Sequence, residues 1–226
     1  MGHAVNVYGN AQVDTAQKKF GTGSLYLDGT SELTITDRLT DFDYGTGDLT
    51  QECFIMFEDK TFPAPSSLQR IIHKETNGSG LAWNTDGQIT CDAPPIDFLW
   101  SPSNMVWYHL AVARRGTTVK IFLDGVTQST VISAFNVQST TPFEIGGEIS
   151  SGSRYFKGWI DEVRCSKGIA RYTGDFTPPA APFVGDDKTV LLMHMDGADG
   201  STTFPDDSYN PAISLMNFVG KKRSGI

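Results

Sequence analysis

An all-β sandwich of two antiparallel sheets is the fold this sequence predicts, and three observations predict it. Short runs of alternating or mostly apolar residues recur between clusters of Gly, Asn, Asp and Pro. No stretch carries the 3.6-residue period of a helix. The 23 Gly and 14 Phe suit many short strands joined by tight turns. At 226 residues one large domain is the default for such a fold.

The pattern places strands at residues 24–27, 32–35, 49–57, 69–74, 81–84, 107–114, 118–123, 143–145, 156–165 and 189–195. The clearest element is WYHLAVARRGTTVKIFLDG at 107–125, a hairpin around Arg115-Gly116 that ends in the turn Asp124-Gly125. Val119, Ile121 and Leu123 share one face by period two, and Leu110 and Val112 face the same core. Arg114-Arg115 reads as a solvated turn and Lys221-Lys222-Arg223 as a solvated tail.

Composition excludes several classes. With 26 acidic and 18 basic residues the net charge is −8, the wrong sign for a nucleic-acid partner. Cys53, Cys91 and Cys165 form no CxxC spacing and cannot all pair within one chain, so free thiols in a reducing compartment are expected. No window approaches 18 consecutive apolar residues and the start lacks a signal peptide's pattern, which predicts no membrane insertion and synthesis in the cytosol.

The hairpin, with FGTGSLYLDG at 20–29, YGTGDLT at 44–50, FEIGG at 143–147 and GWIDEVR at 158–164, resembles the laminin-G-like domains of the concanavalin A-like lectin/glucanase superfamily. The resemblance covers nearly the whole chain. Gln51-Glu52-Cys53-Phe54 departs from it, since the family runs apolar and aromatic there. LLMHMDGADGSTTF at 191–204 resembles the segment that opens such a domain, so the first strand is expected from the C-terminal tail. This divides the chain into a sandwich at 1–172, a Pro-rich connector at 173–188 and a strand with an acidic loop at 189–226. The tail either completes its own sandwich or exchanges into a neighbour.

Glycosidases on this sandwich need two carboxylates on one face, two or four residues apart on a strand. Asp161 and Glu162 are adjacent and point to opposite faces, so no enzyme is expected. Asp161 shares parity with Trp159, Val163 and Cys165, and a carboxylate on an apolar face needs a partner, either a cation or hydrogen bonds at a bulge. Asp196, Asp199 and Asp206 lie on a Gly-punctuated loop that supplies either Ca²⁺ ligands or Asp-Gly turns, and Asp28 and Asp161 are further candidates. Calcium near one sandwich rim is what the resemblance implies. Trp100, Trp83 and Tyr155, with Tyr172, lie in or near loops where aromatic rings could stack on sugars, whereas Trp107 and Trp159 belong with the core.

GIARYTGDFTPP at 168–179 with the 191–204 segment resembles domains of phage and bacterial surface proteins. That resemblance implies a non-enzymatic virion protein assembled in the host cytoplasm, a capsid decoration or tail or fibre module. Its partners would be other virion proteins, a second copy of itself as a homo-oligomer, and cell-surface glycans. The alternatives are a soluble calcium-dependent lectin and, third, a glycoside hydrolase.

Overall fold

The computed structural model describes residues 2–36, 40–61, 67–74, 80–92, 94–138 and 141–208, and the basic cluster Lys221 to Arg223 lies outside them. Among the described residues fifteen strands follow in order: β1 (Val5–Tyr8), β2 (Gln12–Asp14), β3 (Ser24–Asp28), β4 (Glu32–Ile35), β5 (Leu49–Phe57), β6 (Leu68–Lys74), β7 (Leu81–Asn84), β8 (Gln88–Asp92), β9 (Pro95–Leu99), β10 (Trp107–Arg115), β11 (Thr118–Leu123), β12 (Val126–Ile132), β13 (Phe143–Ile145), β14 (Lys157–Lys167) and β15 (Thr189–Met193). They form a seven-stranded sheet, β1-β4-β13-β6-β7-β8-β9, and an eight-stranded sheet, β12-β11-β10-β5-β14-β3-β2, in which β15 also pairs β14. All pairings are antiparallel. The chain is thus an all-β sandwich.

Period-two alternation explains the core. Cys53, Ile55 and Phe57 of β5, Leu110 and Val112 of β10 and Val119 and Ile121 of β11 meet Leu33, Ile35, Ile145, Trp83 and Ile89 from the other sheet in one buried cluster. Asp124 and Gly125 have φ of 46° and 79°, the two positive values a two-residue hairpin turn requires, and they lead into β12. β12 has no sequence expectation behind it because VTQSTVI is polar, charge-free and at an edge. β1, β2, β8 and β9 are likewise additions to the expected strands.

The eight-stranded sheet carries a second layer on its outer face. Phe54, Phe183 and Leu192 form one cluster there, with Phe20 and Trp107 against it; Ala111, Ala113 and Phe122 form another beneath Tyr172 and Phe176. Through Ala170, Tyr172, Phe176 and Phe183 the segment 168–183 is therefore a strap packed over the sheet. Glu52 explains the departure at 51–54: it faces outward from β5 and is buried under the strap, where Arg164 Nε and Nη2 lie at 2.8 and 2.7 Å, Tyr172 Oη at 2.8 Å and His109 Nε2 at 3.2 Å. Burial opposes its charge, but the His109 hydrogen bond and the Arg164 guanidinium outweigh that and hold its carboxyl below the ordinary range.

Three expectations are corrected here. Arg114 is 1% exposed, and its guanidinium donates to the carbonyls of Gly45, Gly47 and Phe135, so it tethers the loop before β5 instead of lying in a solvated turn. Trp107 and Trp159 lie on the outer face; Trp159 Nε1 donates to Asp14 Oδ2 at 2.8 Å and its ring packs on Tyr26. The register of β14 shifts between Asp161 and Arg164, so that bulge puts Val163 and Cys165 in the core with Ile160 while Asp161 stays outside with Trp159. All three cysteines are buried and none forms a disulfide.

Candidate functional site

The outer face of the seven-stranded sheet is where polar groups gather. Leu33, Ile35, Phe143, Ile145 and Ile72 point into the core, so their neighbours Glu32, Thr34, Glu144 and His73 point away from it. Strand register aligns them: Asn6, Thr34, Glu144 and His73 stand in one row across β1, β4, β13 and β6, and Tyr8 is directly opposite Glu32. The loop 146–156 adds Glu148, Arg154 and Tyr155. Gly147 lies between Glu32 and Tyr155, so close that a Cβ there would stand 2.8 Å from the Tyr155 ring and overlap Glu32.

The electrostatics of this face are uneven. Glu32 is fully buried, and neither carboxyl oxygen has a hydrogen-bond partner among the described residues. Burial and the charges of Glu144 and Glu148 push its carboxyl up to about 8, so it keeps its proton at neutral pH. Burial and the neighbouring Arg70 lower His73 to about 4, so its imidazole is neutral. Its ring nitrogens stand 3.6 Å from Glu148 and 4.0 Å from Asp92. Glu148 is ionised against its own burial by Arg154, at 2.8 and 2.9 Å, and by Arg70 Nε at 2.8 Å. Arg70 also bonds Asp92. Both guanidinium groups are thus committed to carboxylates, and beside them the face carries the Glu144 carboxylate, a neutral acid, a neutral imidazole and two tyrosines. Tyr8 is 51% exposed at the margin, and the Tyr155 phenol is raised by burial and by Glu32, Tyr8 and Glu144.

The five carboxylates expected to hold calcium are not brought together; among the described residues no group of three or more His, Cys, Asp or Glu is arranged to hold a metal ion. Asp161 Oδ2 accepts the backbone N–H of Lys19 and Phe20 at 2.8 and 3.1 Å, while burial lifts the carboxyl to about 7. Asp196 Oδ1 accepts the N–H of Thr22, the Thr22 hydroxyl at 2.9 Å and the N–H of Gly23 at 3.2 Å. Asp199 is exposed and accepts from Thr15. Asp206 takes the N–H and ring of His3 at 2.8 and 2.7 Å and the N–H of Leu192 and Ser208 at 3.1 and 2.9 Å. Burial opposes its charge, but these bonds outweigh it and its carboxyl lies at about 2. Asp28 holds the turn 28–31 through Thr30 and Ser31. On each of these carboxylates at least one oxygen already accepts N–H or O–H donors, while Asp161 Oδ1 is buried without a hydrogen-bond partner among the described residues.

Of the aromatic candidates, only Tyr155 borders the polar face. Trp83 is a core side chain of β7, 5% exposed, with its Nε1 donating to the Lys60 carbonyl. Trp100 is half-buried and sits edge-on to Tyr108 at 4.7 Å in a cluster with Phe57, Trp83 and Phe98. Sequence reasoning missed Glu32, Glu144, Glu148, His73 and Arg70 because it sought paired carboxylates along one strand. Here they come from two strands and a loop, and the usable signal was the polar alternate in Glu32-Leu33-Thr34-Ile35 and Phe143-Glu144-Ile145.

The fold and this face define a lectin-like jelly roll. The sequence profile of the concanavalin A-like lectin/glucanases superfamily matches residues 27–169, and the chain belongs to that superfamily. No curated protein matches it. Among solved structures it is similar to a putative carbohydrate binding protein from Bacteroides ovatus ATCC 8483, with TM-score 0.62 and 15% identity over 92% of this chain and 54% of that one. Domain 4 of AbnA, a GH43 extracellular arabinanase from Geobacillus stearothermophilus solved with arabinotriose, gives TM-score 0.55 and 16% identity over 74% of this chain and 83% of that one. The binding domain of botulinum neurotoxin serotype C1 gives 0.53 and 14% over 74% and 44%. The chain spans about half the length of the Bacteroides protein and somewhat less of the neurotoxin domain.

Proposed function

We propose that the chain is a non-enzymatic glycan-binding module whose contact surface is the margin of the polar face, where Tyr8 and Tyr155 flank Glu32. The observation that carries this reading is the placement of two accessible tyrosines at the edge of a polar sheet face, Tyr8 51% exposed and directly opposite Glu32 and Tyr155 half-buried beside it, since tyrosine rings stack on sugar rings and their hydroxyls bond those of the sugar. Similar structures named for carbohydrate binding, arabinotriose or receptor binding support it. Hydrolysis would need two carboxyl groups open to the scissile bond, and the Glu32 oxygens are enclosed. In the setting implied by residues 168–204, the module would be carried on a phage particle and meet a cell-surface glycan; an antibody against the chain, applied to purified particles, tests that setting.

A glycan array probed with the native chain and with Tyr8→Ala and Tyr155→Ala tests the binding reading. Binding weakened at least about tenfold in both variants, or roughly 1.4 kcal/mol, is expected. Signals unchanged in both would remove the face from consideration.

A further inference from the structure

Residues 189–208 hold to the sandwich through contacts independent of the segment's own tether. β15 pairs with β14, Val163 opposite Met193 and Cys165 opposite Leu191. Leu191, Met193 and Met195 are at most 1% exposed in the central core. Further along, Val13 N donates to the Ser201 carbonyl at 2.8 Å and Gly200 N to the Val13 carbonyl at 2.9 Å, so the returning chain closes the edge of β2. Asp196 satisfies N–H groups of residues 22 and 23, and the buried Asp206 carboxylate satisfies that of His3. Each end of the segment thus supplies an acceptor that the body lacks.

The tether is short and exposed. Phe183 is buried under Glu162, to which its N–H donates at 2.7 Å, and Thr189 is buried at the start of β15; residues 184–188 between them are all exposed, Val184 to 78%. The tether is bonded by the Asp186 turn to Thr189, by the pair of Arg171 with Asp186, by Arg164 Nη1 donating to the Val184 carbonyl at 3.3 Å and by Lys167 N donating to the Lys188 carbonyl at 2.9 Å. Straightened, five residues reach about 17 Å.

We propose that the groove between β14 and β2 is a docking site for segment 189–208 whichever copy of the chain carries it, so that a second copy can supply it and exchange of the segment links copies. Main-chain pairing to β14 gives affinity, and the sockets of Leu191, Met193 and Met195 with the Asp196 and Asp206 contacts give specificity for this sequence. A short tether holds its own segment at an effective concentration of about millimolar, so dilute copies close on themselves. Exchange prevails where copies are crowded or the tether cannot span.

Deleting residues 185–188 from the full chain leaves Val184 alone between Phe183 and Thr189, roughly 7 Å of reach, to disfavour closure within one copy, and apart from the Lys188 carbonyl bonded to Lys167 it keeps the groove and residues 189–208. The expected result, by size-exclusion chromatography with light scattering and circular dichroism, is a folded dimer or longer chain of copies. An unfolded product that recovers its β signal with synthetic peptide 189–208, but not with the peptide carrying Leu191→Asp, supports the docking site equally. A folded monomer, or an unfolded product that the peptide does not rescue, overturns the proposal.

Discussion

Glu52 and Arg164 stand directly opposite one another on β5 and β14, and the carboxylate accepts two guanidinium N–H groups beneath the strap. Glu52 is fully buried and Arg164 nearly so, so their attraction is set against the cost of desolvating both. Removing Arg164 leaves the Glu52 charge buried with only His109 and Tyr172 to bond it. Arg164→Met should therefore destabilise the chain by about 3–5 kcal/mol in urea denaturation, whereas Arg164→Met with Glu52→Leu should recover much of the loss. A double variant no better than the single would show that the pair acts through the strap's aromatic packing, since Arg164 also lies 4.3 Å over the Phe183 ring.

Glu32 gives stability an unusual pH dependence. In the unfolded chain its carboxyl ionises near 4.5, whereas in the fold it holds its proton up to about 8. Between those values the folded state binds more protons, so stability falls as pH rises and levels off above 8. Asp161, raised from 3.8 to about 7, acts in the same direction over its own window. Asp206 acts oppositely: its carboxyl at about 2 contributes stability above 3.8 that is lost as pH falls through 2. At pH 7 the Glu32 cost is on the order of 3 kcal/mol. Glu32→Gln should be more stable than the native chain at pH 8, nearly equal at pH 4, and should flatten the fall of the urea midpoint between those limits.

Much of the fold is legible because apolar alternation and turn residues encode it. The hairpin 107–123 and the strands at 32–35, 49–57 and 143–145 stand where the pattern puts them. What escapes is whatever depends on a partner distant in sequence. β12 is polar because it is an edge, although Asp124-Gly125 ahead of it is the strongest local sign of a following strand. Arg114 looks solvated until the carbonyls of 45, 47 and 135 are placed around it. One extra residue in β14 reverses the face of everything beyond Asp161, and the sequence around it shows no Gly, since Glu162 itself takes a φ of 53°. The polar face assembles from strands whose carboxylates never share a motif.

Gly125 links the hairpin to the strap. Its φ of 79° is in the left-handed region, and a Cβ there would overlap the Phe176 carbonyl oxygen, while Phe176 N donates to the Gly125 carbonyl at 2.9 Å. Gly125→Ala should lose about 1–2 kcal/mol from backbone conformation alone. The overlap should also lift Phe176 and Tyr172, which stack 3.6 Å apart, off Phe122. Limited proteolysis checks this: cleavage within 173–188 should accelerate in the variant while the rest of the chain stays protected. Unchanged cleavage would mean that the strap is held from its other end, through Phe183.

Asp161 of β14 and Asp196 of the loop after β15 perform one task, each accepting backbone N–H groups of the loop 19–23, which Asp161 takes at residues 19 and 20 and Asp196 at 22 and 23. Bonds of an N–H to an ionised acceptor contribute about 1.5–3 kcal/mol apiece. Asp196→Ala should accordingly lower the melting temperature by several degrees, and Asp196→Asn, which retains one acceptor oxygen, by less. A calcium ion bound at the same carboxylates would instead stabilise by an amount set by its concentration over Kd, about 2.7 kcal/mol at a hundredfold excess. Melting in EDTA and in millimolar CaCl₂ separates the two assignments. With the N–H donors in place the two curves should superimpose, for the native chain and for Asp196→Ala alike. A rise in calcium that disappears in Asp196→Ala would instead assign Asp196 to a cation and restore the calcium-dependent lectin as the better reading.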